Sequence, residues 1–277
     1  LPNVVPPHAF SNAVALSALS FQIATIGGPA LGGAAYAFGA PAVYGLATLM
    51  LIVATSCSLL ISTRSKGERQ PANWHNLIAG VRFIRARPIL LGAISLDLFA
   101  VLFGGVVALL PIYAAEILHV GPSGLGMLRA APAVGAAIMA MGLAQFPLRR
   151  RVGSWLFGGV IVFGLCIIAF ALSKNYFISL GLLTVMGAGD MISVYVRSHL
   201  VQAETPDHLR GRVSAVNMLF ITTSNELGEF ESGVTAAWFG TVPATILGGV
   251  LTLGVAAFCA WRIPQLRKID KLEVAGG

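Results

Sequence analysis

Residues 153–172, GSWLFGGVIVFGLCIIAFAL, contain no Asp, Glu, Lys or Arg and show no alternation of polar with apolar positions. About 20 such residues form an α-helix long enough to cross a hydrocarbon layer ~30 Å thick. A spanning β-strand needs a period of two, which is missing, so the run reads as a transmembrane helix. Working outward, similar stretches lie near 13–38, 42–62, 89–115, 123–145, 176–198, 213–238 and 242–261. With 153–172 they make about eight spans, named A to H in chain order. The composition agrees: the 277 residues are 56% hydrophobic and 10% charged, with a mean hydropathy of +0.82. Such a chain cannot clothe itself in a polar shell, and the expected class is an all-α polytopic membrane protein.

The formal net charge is +7. The basic residues are not spread as a nucleic-acid groove requires. Arg64, Lys66, Arg69, Arg82, Arg85 and Arg87 lie between B and C, and Arg149, Arg150 and Arg151 between D and E. Arg197, Arg210 and Arg212 stand at the junction of F and G, and Arg262, Arg267, Lys268 and Lys271 follow H. The alternate connections carry little beyond Lys174. The positive-inside rule then places the basic connections and both ends of this chain in the cytoplasm, with the bilayer rather than nucleic acid as partner.

Metal, cofactor and enzyme chemistry find no support. Cys57, Cys166 and Cys259 fall inside apolar spans, where structural thiols are expected, and no pair is spaced as CxxC. His8, His75, His119, His199 and His208 are scattered at connections without ligand spacing.

An internal repeat organises the spans. Residue i set against i+200 pairs Pro6 with Pro206, His8 with His208, Gly28 with Gly228 and Gly33 with Gly233. The frame lays A and B over G and H without a gap until near Gly39, as a duplicated transporter does. Residues 1–62 are then expected to be the last two helices of a first six-helix bundle, 63–88 a cytoplasmic connection, and 89–277 a second six-helix bundle with a cytoplasmic tail. About four spans are expected upstream of this chain.

Charge within the spans is segregated. Asp97 lies in C, Arg129 in D, Asp190 in F, and Glu226, Glu229 and Glu231 in G, whereas B, E and H have none. Ionisable groups in hydrocarbon face protein or water, so B, E and H read as peripheral and the others as lining an interior. At ~1.5 Å per residue, Asp97 and Asp190 lie roughly 12 Å from the cytoplasmic ends. Arg129 and Glu226 share a level nearer the outside, with Glu229 about one turn beyond.

Span A is interrupted in a particular way. Residues 24–39, ATIGGPALGGAAYAFG, place Gly28 and Gly32 four apart, a spacing that lets a neighbouring helix approach closely, and Gly33 widens the smooth face. Pro29 cannot donate to the carbonyl of Thr25 and kinks the helix. The core GPALGG, with Gly28, Pro29, Gly32 and Gly33, resembles the motif of the fifth helix of drug and metabolite antiporters of the major facilitator superfamily. Residues 109–136, LLPIYAAEILHVGPSGLGMLRAAPAVGA, and 205–240, TPDHLRGRVSAVNMLFITTSNELGEFESGVTAAWFG, are similar to the superfamily's bacterial exporters related to the enterobactin exporter. The motif's preceding glycine is replaced by Ala24. The second-half gating motif, GLAQFPLRRRVG at 142–153, keeps Gly142 but has Gln145 where an acidic residue is common.

The resemblance implies the C-terminal two thirds of a twelve-helix fold in the bacterial inner membrane, exporting a small molecule against protons by alternating access, without a cofactor. Competing readings are a facilitator or lysophospholipid flippase of the same fold, and a membrane scaffold or receptor that transports nothing. Asp97 and Asp190 are expected to exchange the proton, while Arg129, Glu226 and Glu229 bind cargo or gate. Asp207, Arg210 and Arg212, in PDHLRGR at 206–212, could latch the cytoplasmic side. Residues 73–88, NWHNLIAGVRFIRARP, read as a surface helix with Leu77, Ile78, Val81 and Ile84 on one face, either a lipid anchor or a gating element.

Overall fold

The computed structural model describes residues 10–36, 38–60, 74–148 and 150–270. Its helices are α1 (Phe10–Tyr36), α2 (Ala40–Leu59), α3 (Trp74–Arg85), α4 (Pro88–Phe103), α5 (Leu110–Ile112), α6 (Pro122–Gln145), α7 (Val152–Leu172), α8 (Tyr176–Glu204), α9 (Asp207–Phe239), α10 (Thr241–Arg262) and α11 (Pro264–Arg267). Between α4 and α6 the chain passes through a 3₁₀ turn (Val106–Leu109), α5 and a π turn (Tyr113–Ile117). There is no strand among the described residues.

Among the described residues, six stretches are long and apolar enough to cross a membrane: Ala40–Leu59, Pro88–Ile117, Pro122–Gln145, Val152–Leu172, Tyr176–Glu204 and Thr241–Arg262. The chain is a multi-pass membrane protein. Of the eight expected spans, A and G correspond to α1 and α9, which have the length, at 27 and 33 residues, but stand outside this set. In α9 the reason is its polar content, which includes Asn217, Asn225, Glu226, Glu229 and Glu231.

Local chemistry sets the ends. Pro88 and Pro122 open α4 and α6, where the missing N–H has no intrahelical partner to lose. The Asn175 side chain accepts from the N–H groups of Phe177 at 3.0 Å and Ile178 at 3.2 Å and so caps α8. Gly39 (φ 96°, ψ 161°) joins α1 to α2, and Gly240 (φ 87°, ψ 158°) joins α9 to α10. Only glycine holds that conformation without strain. The two turns lie 240 − 39 = 201 positions apart, one beyond the repeat frame and at the place where that frame breaks.

Close packing runs through small residues. α6 meets α8 where Gly187 faces the Pro132 carbonyl, and α7 meets α8 where Gly159 faces Gly189. No side chain fits at these crossings, so the backbones approach as closely as helices can in lipid. One apolar core centres on Tyr113, Leu128, Phe170 and Leu183, with the Tyr113 and Phe170 rings 4.6 Å apart. A second, at the α11 end, gathers Leu96, Leu156, Val196, Leu200 and Leu266. The segment after α11 seats on the start of α7: Arg151 N–H donates to Asp270 Oδ1 at 3.0 Å and Gly153 N–H to the Ile269 carbonyl at 3.0 Å.

Several expectations change. Span F does not end at 198; α8 runs to Glu204 and α9 begins at Asp207, leaving only Thr205 and Pro206 between them. Arg197 is therefore not a cation of a connection but a buried residue inside α8. The surface helix forms as α3, but its buried face is displaced. Gly80 meets Val216 Cγ2 and the Arg212 carbonyl of α9, and Ile84 is buried against Leu90, Val213 and Val216, while Ile78 is 61% exposed. A small residue at Gly80 lets α3 lie on α9, which buries Ile84 of the expected apolar face and leaves Ile78 outside the contact. The side chain of Leu77 lies outside the described residues.

Candidate functional site

Asp97 of α4 is buried and fully engaged. Its Oδ2 lies 3.2 Å from Arg197 Nη2, and its Oδ1 accepts from Ser193 Oγ at 2.9 Å. Ser193 and Arg197 are four apart on α8 and share a face. Arg197 Nη1 donates to Asn217 Oδ1 of α9 at 3.2 Å, so one guanidinium ties three helices, while its buried Nε has no partner. A buried ion pair needs such added hydrogen bonds to offset the desolvation of both charges.

Asp190 lies two turns before Arg197 on the same helix, and the two aspartates border a common void of about 10 Å³ together with Ser193, Val160 and Phe163. Unlike Asp97, Asp190 receives no hydrogen bond and no ion pair from a described side chain within contact distance. It opens instead on a cavity of about 320 Å³ lined also by Arg129, Asn225, Glu229 and Thr25, with Pro132 and Phe163 in its apolar wall. The α4 break at Gly104 and Gly105 forms part of the same wall, because Gly105 packs against the Gly228 carbonyl of α9 without room for a side chain.

Arg129, Asp190 and Glu229 thus come together around one cavity, with Asp97 behind Asp190. Glu226 is exposed and does not line it. Arg129 has no carboxylate within ion-pair distance among the described residues. The latch residues Asp207 and Arg210 have side chains outside the described residues, and Arg212 is exposed. At the cytoplasmic-type connections the described ion pair is Arg87 with Glu204, at 2.7 Å.

The glycine motif makes its close contact at another position than its spacing implies. A Cβ on Gly33 would meet the Pro122 carbonyl at 2.7 Å and Gly126 Cα at 2.8 Å, and one on Gly126 would meet the Pro29 carbonyl at 2.6 Å. Gly28 and Gly32 face open space. Helix α1 therefore crosses α6 on the Pro29 and Gly33 side.

Arg197, Ser193 and Asn217 were not singled out in the sequence. Arg197 stood among basic residues at a helix end, and the available signal was its i+7 spacing from Asp190.

Helices packed through glycines thus enclose a polar cavity, and comparison with known proteins gives the family. The model of the family described as transmembrane secretion effector matches residues 1–275. The chain belongs to this family of major facilitator exporters. It is 25% identical over 270 residues to the enterobactin exporter EntS of Citrobacter koseri, covering 96% of this chain and 64% of that protein. To the multidrug efflux pump Tap of Mycobacterium tuberculosis it is 29% identical over 266 residues, covering 90% of this chain and 61% of the relative. For the enterobactin exporter of Salmonella typhi the figures are 26% over 251 residues, 90% and 60%. The chain spans about three fifths of the length of these relatives. No solved structure matches it.

Proposed function

We propose that the protein containing this chain is a proton-coupled exporter of a small molecule, working by alternating access in the bacterial inner membrane with its basic connections and the ends of this chain in the cytoplasm. Residues 1–62 contribute the last two helices of the first bundle, 63–88 the connection and 89–277 the second bundle. The matching turns at Gly39 and Gly240 support that division.

The observation that carries the coupling is the contrast between two neighbouring carboxylates. Asp97 is neutralised by Arg197 and hydrogen-bonded by Ser193, so its negative charge is compensated in place. Asp190 has no such partner and faces the 320 Å³ cavity, where solvent can reach it. An unpaired carboxylate within a span is tolerated where water reaches it, and as the neutral acid where water is excluded. Asp190 therefore gains a proton from one side, moves neutral through the closed state and loses the proton on the other, while Asp97 and Arg197 form the fixed pair beside it. Arg129 and Glu229, on the same cavity, hold polar groups of the cargo.

The test is flux in liposomes containing the full-length protein. Asp190→Asn is expected to abolish export driven by a pH gradient while leaving counterflow exchange of substrate. Full gradient-driven flux in that variant would place the coupling group elsewhere.

A further inference from the structure

A second cavity, of about 500 Å³, lies between the Tyr36 end of α1, Val43 of α2, Pro111 of α5 and the first two turns of α6. Its wall is apolar apart from Tyr36 and Arg129. Arg129 is also the lining residue that this chamber shares with the 320 Å³ polar cavity, so the two adjoin at this residue.

Resting on the exporter reading, we infer that the transported cargo is an amphiphilic anion whose carboxylate or phosphate sits on Arg129 and whose apolar body fills the 500 Å³ chamber. Arg129 is a cation within a membrane-spanning helix and has no ion-pair partner among the described residues. It is exposed where the two cavities adjoin, so its charge stays hydrated and open to an anionic ligand. Asp190 and Glu229 border the polar cavity, but neither stands within ion-pair distance of it, and no carboxylate lines the apolar chamber. Among the described residues, a ligand in that chamber meets one formal charge, and it is positive. The planar guanidinium matches the oxygens of a carboxylate or phosphate in bidentate fashion, whereas a cationic amphiphile of the same shape is repelled. The volume lies within the range of small-molecule sites, and walls dominated by apolar groups with one directing polar group are what such sites have.

Three amphiphiles with one dodecyl chain separate the contributions: dodecyl phosphate, neutral dodecylglycerol and dodecyltrimethylammonium. Each is titrated into the full-length protein in phosphatidylcholine nanodiscs without a proton gradient. Dodecyl phosphate is expected to bind at least about tenfold more tightly than the neutral probe, the size of one charge-assisted hydrogen bond. Arg129→Gln should erase that difference and Arg129→Lys should keep part of it. Gly32→Leu, which points a side chain into open chamber space, should weaken all three probes. Equal affinity for the three probes, an unchanged preference in Arg129→Gln, or full binding in Gly32→Leu overturns the inference. Because binding is measured at equilibrium without a gradient, it is read independently of the Asp190→Asn flux assay, and failure of the exporter reading there leaves the anion site on Arg129 standing.

Discussion

Arg197 of α8 and Asp97 of α4 form a buried ion pair at 3.2 Å, and the same guanidinium reaches Asn217 of α9 at 3.2 Å. Removing one partner strands the other charge among apolar neighbours, at a cost of about 3–5 kcal/mol, whereas replacing both removes the stranded charge. Arg197→Met is therefore expected to lower the thermal unfolding midpoint of the detergent-solubilised full-length protein well below that of the double variant Arg197→Met with Asp97→Leu. If the two single effects simply add in the double variant, the residues are not coupled.

The same pair shows where sequence reading reached its limit. The order and class of the helices were legible, because long runs without charge, such as 153–172, admit one solution in a bilayer. The hairpin turns at Gly39 and Gly240 were legible as a broken repeat. Arg197 was not, because hydropathy marks a helix end at the first cluster of polar residues, and Arg197, Ser198 and His199 form one. Only the third dimension shows that Asp97 faces Arg197 and so allows α8 to continue. Similarly, the spacing of Gly28 and Gly32 defined a smooth face, but which edge of it meets α6 depends on the rotation of α1, which spacing does not specify. Asp190, Arg129 and Glu229 were readable as interior charge by their cost in hydrocarbon and line one cavity, whereas Glu226 lies outside that lining, because depth along a helix says nothing about the direction in which a side chain points.

Helix rotation gives a direct comparison at neighbouring glycines. Gly33→Val places methyl groups against the Pro122 carbonyl and Gly126, and α1 must separate from α6. Gly32→Val has free space around its Cβ. Gly33→Val should lower the thermal unfolding midpoint of the detergent-solubilised full-length protein, with Gly32→Val close to the parent. Equal midpoints in the two variants would refute the observed crossing.

Docking of α3 makes a separate demand. Gly80 lies 2.9 Å, as an added Cβ, from Val216 Cγ2 and 3.0 Å from the Arg212 carbonyl. Gly80→Leu cannot be accommodated without lifting α3 from α9, while Ile78→Ala alters a side chain that is already exposed. In limited trypsin digestion of the full-length protein, cleavage after Arg82 or Arg85 should accelerate in Gly80→Leu and stay near the parent rate in Ile78→Ala. Unchanged protection in Gly80→Leu would mean that α3 is held by something other than its contact with α9.

Sidedness is the last and broadest expectation. The connection between α7 and α8 carries Lys174, whereas the connection between α6 and α7 carries Arg149, Arg150 and Arg151. Basic connections resist translocation and remain cytoplasmic, so these two loops must lie on opposite sides of the bilayer, as the single crossing of α7 between them also requires. Cys57 is exposed and is replaced by serine beforehand, and buried Cys166 and Cys259 are replaced as well so that one engineered thiol reports. In intact cells, Lys174→Cys should react with a membrane-impermeant maleimide, and Arg150→Cys should react only after the membrane is opened. Labelling of Arg150→Cys from outside together with protection of Lys174→Cys would invert the molecule, and with it the side from which Asp190 is proposed to take its proton.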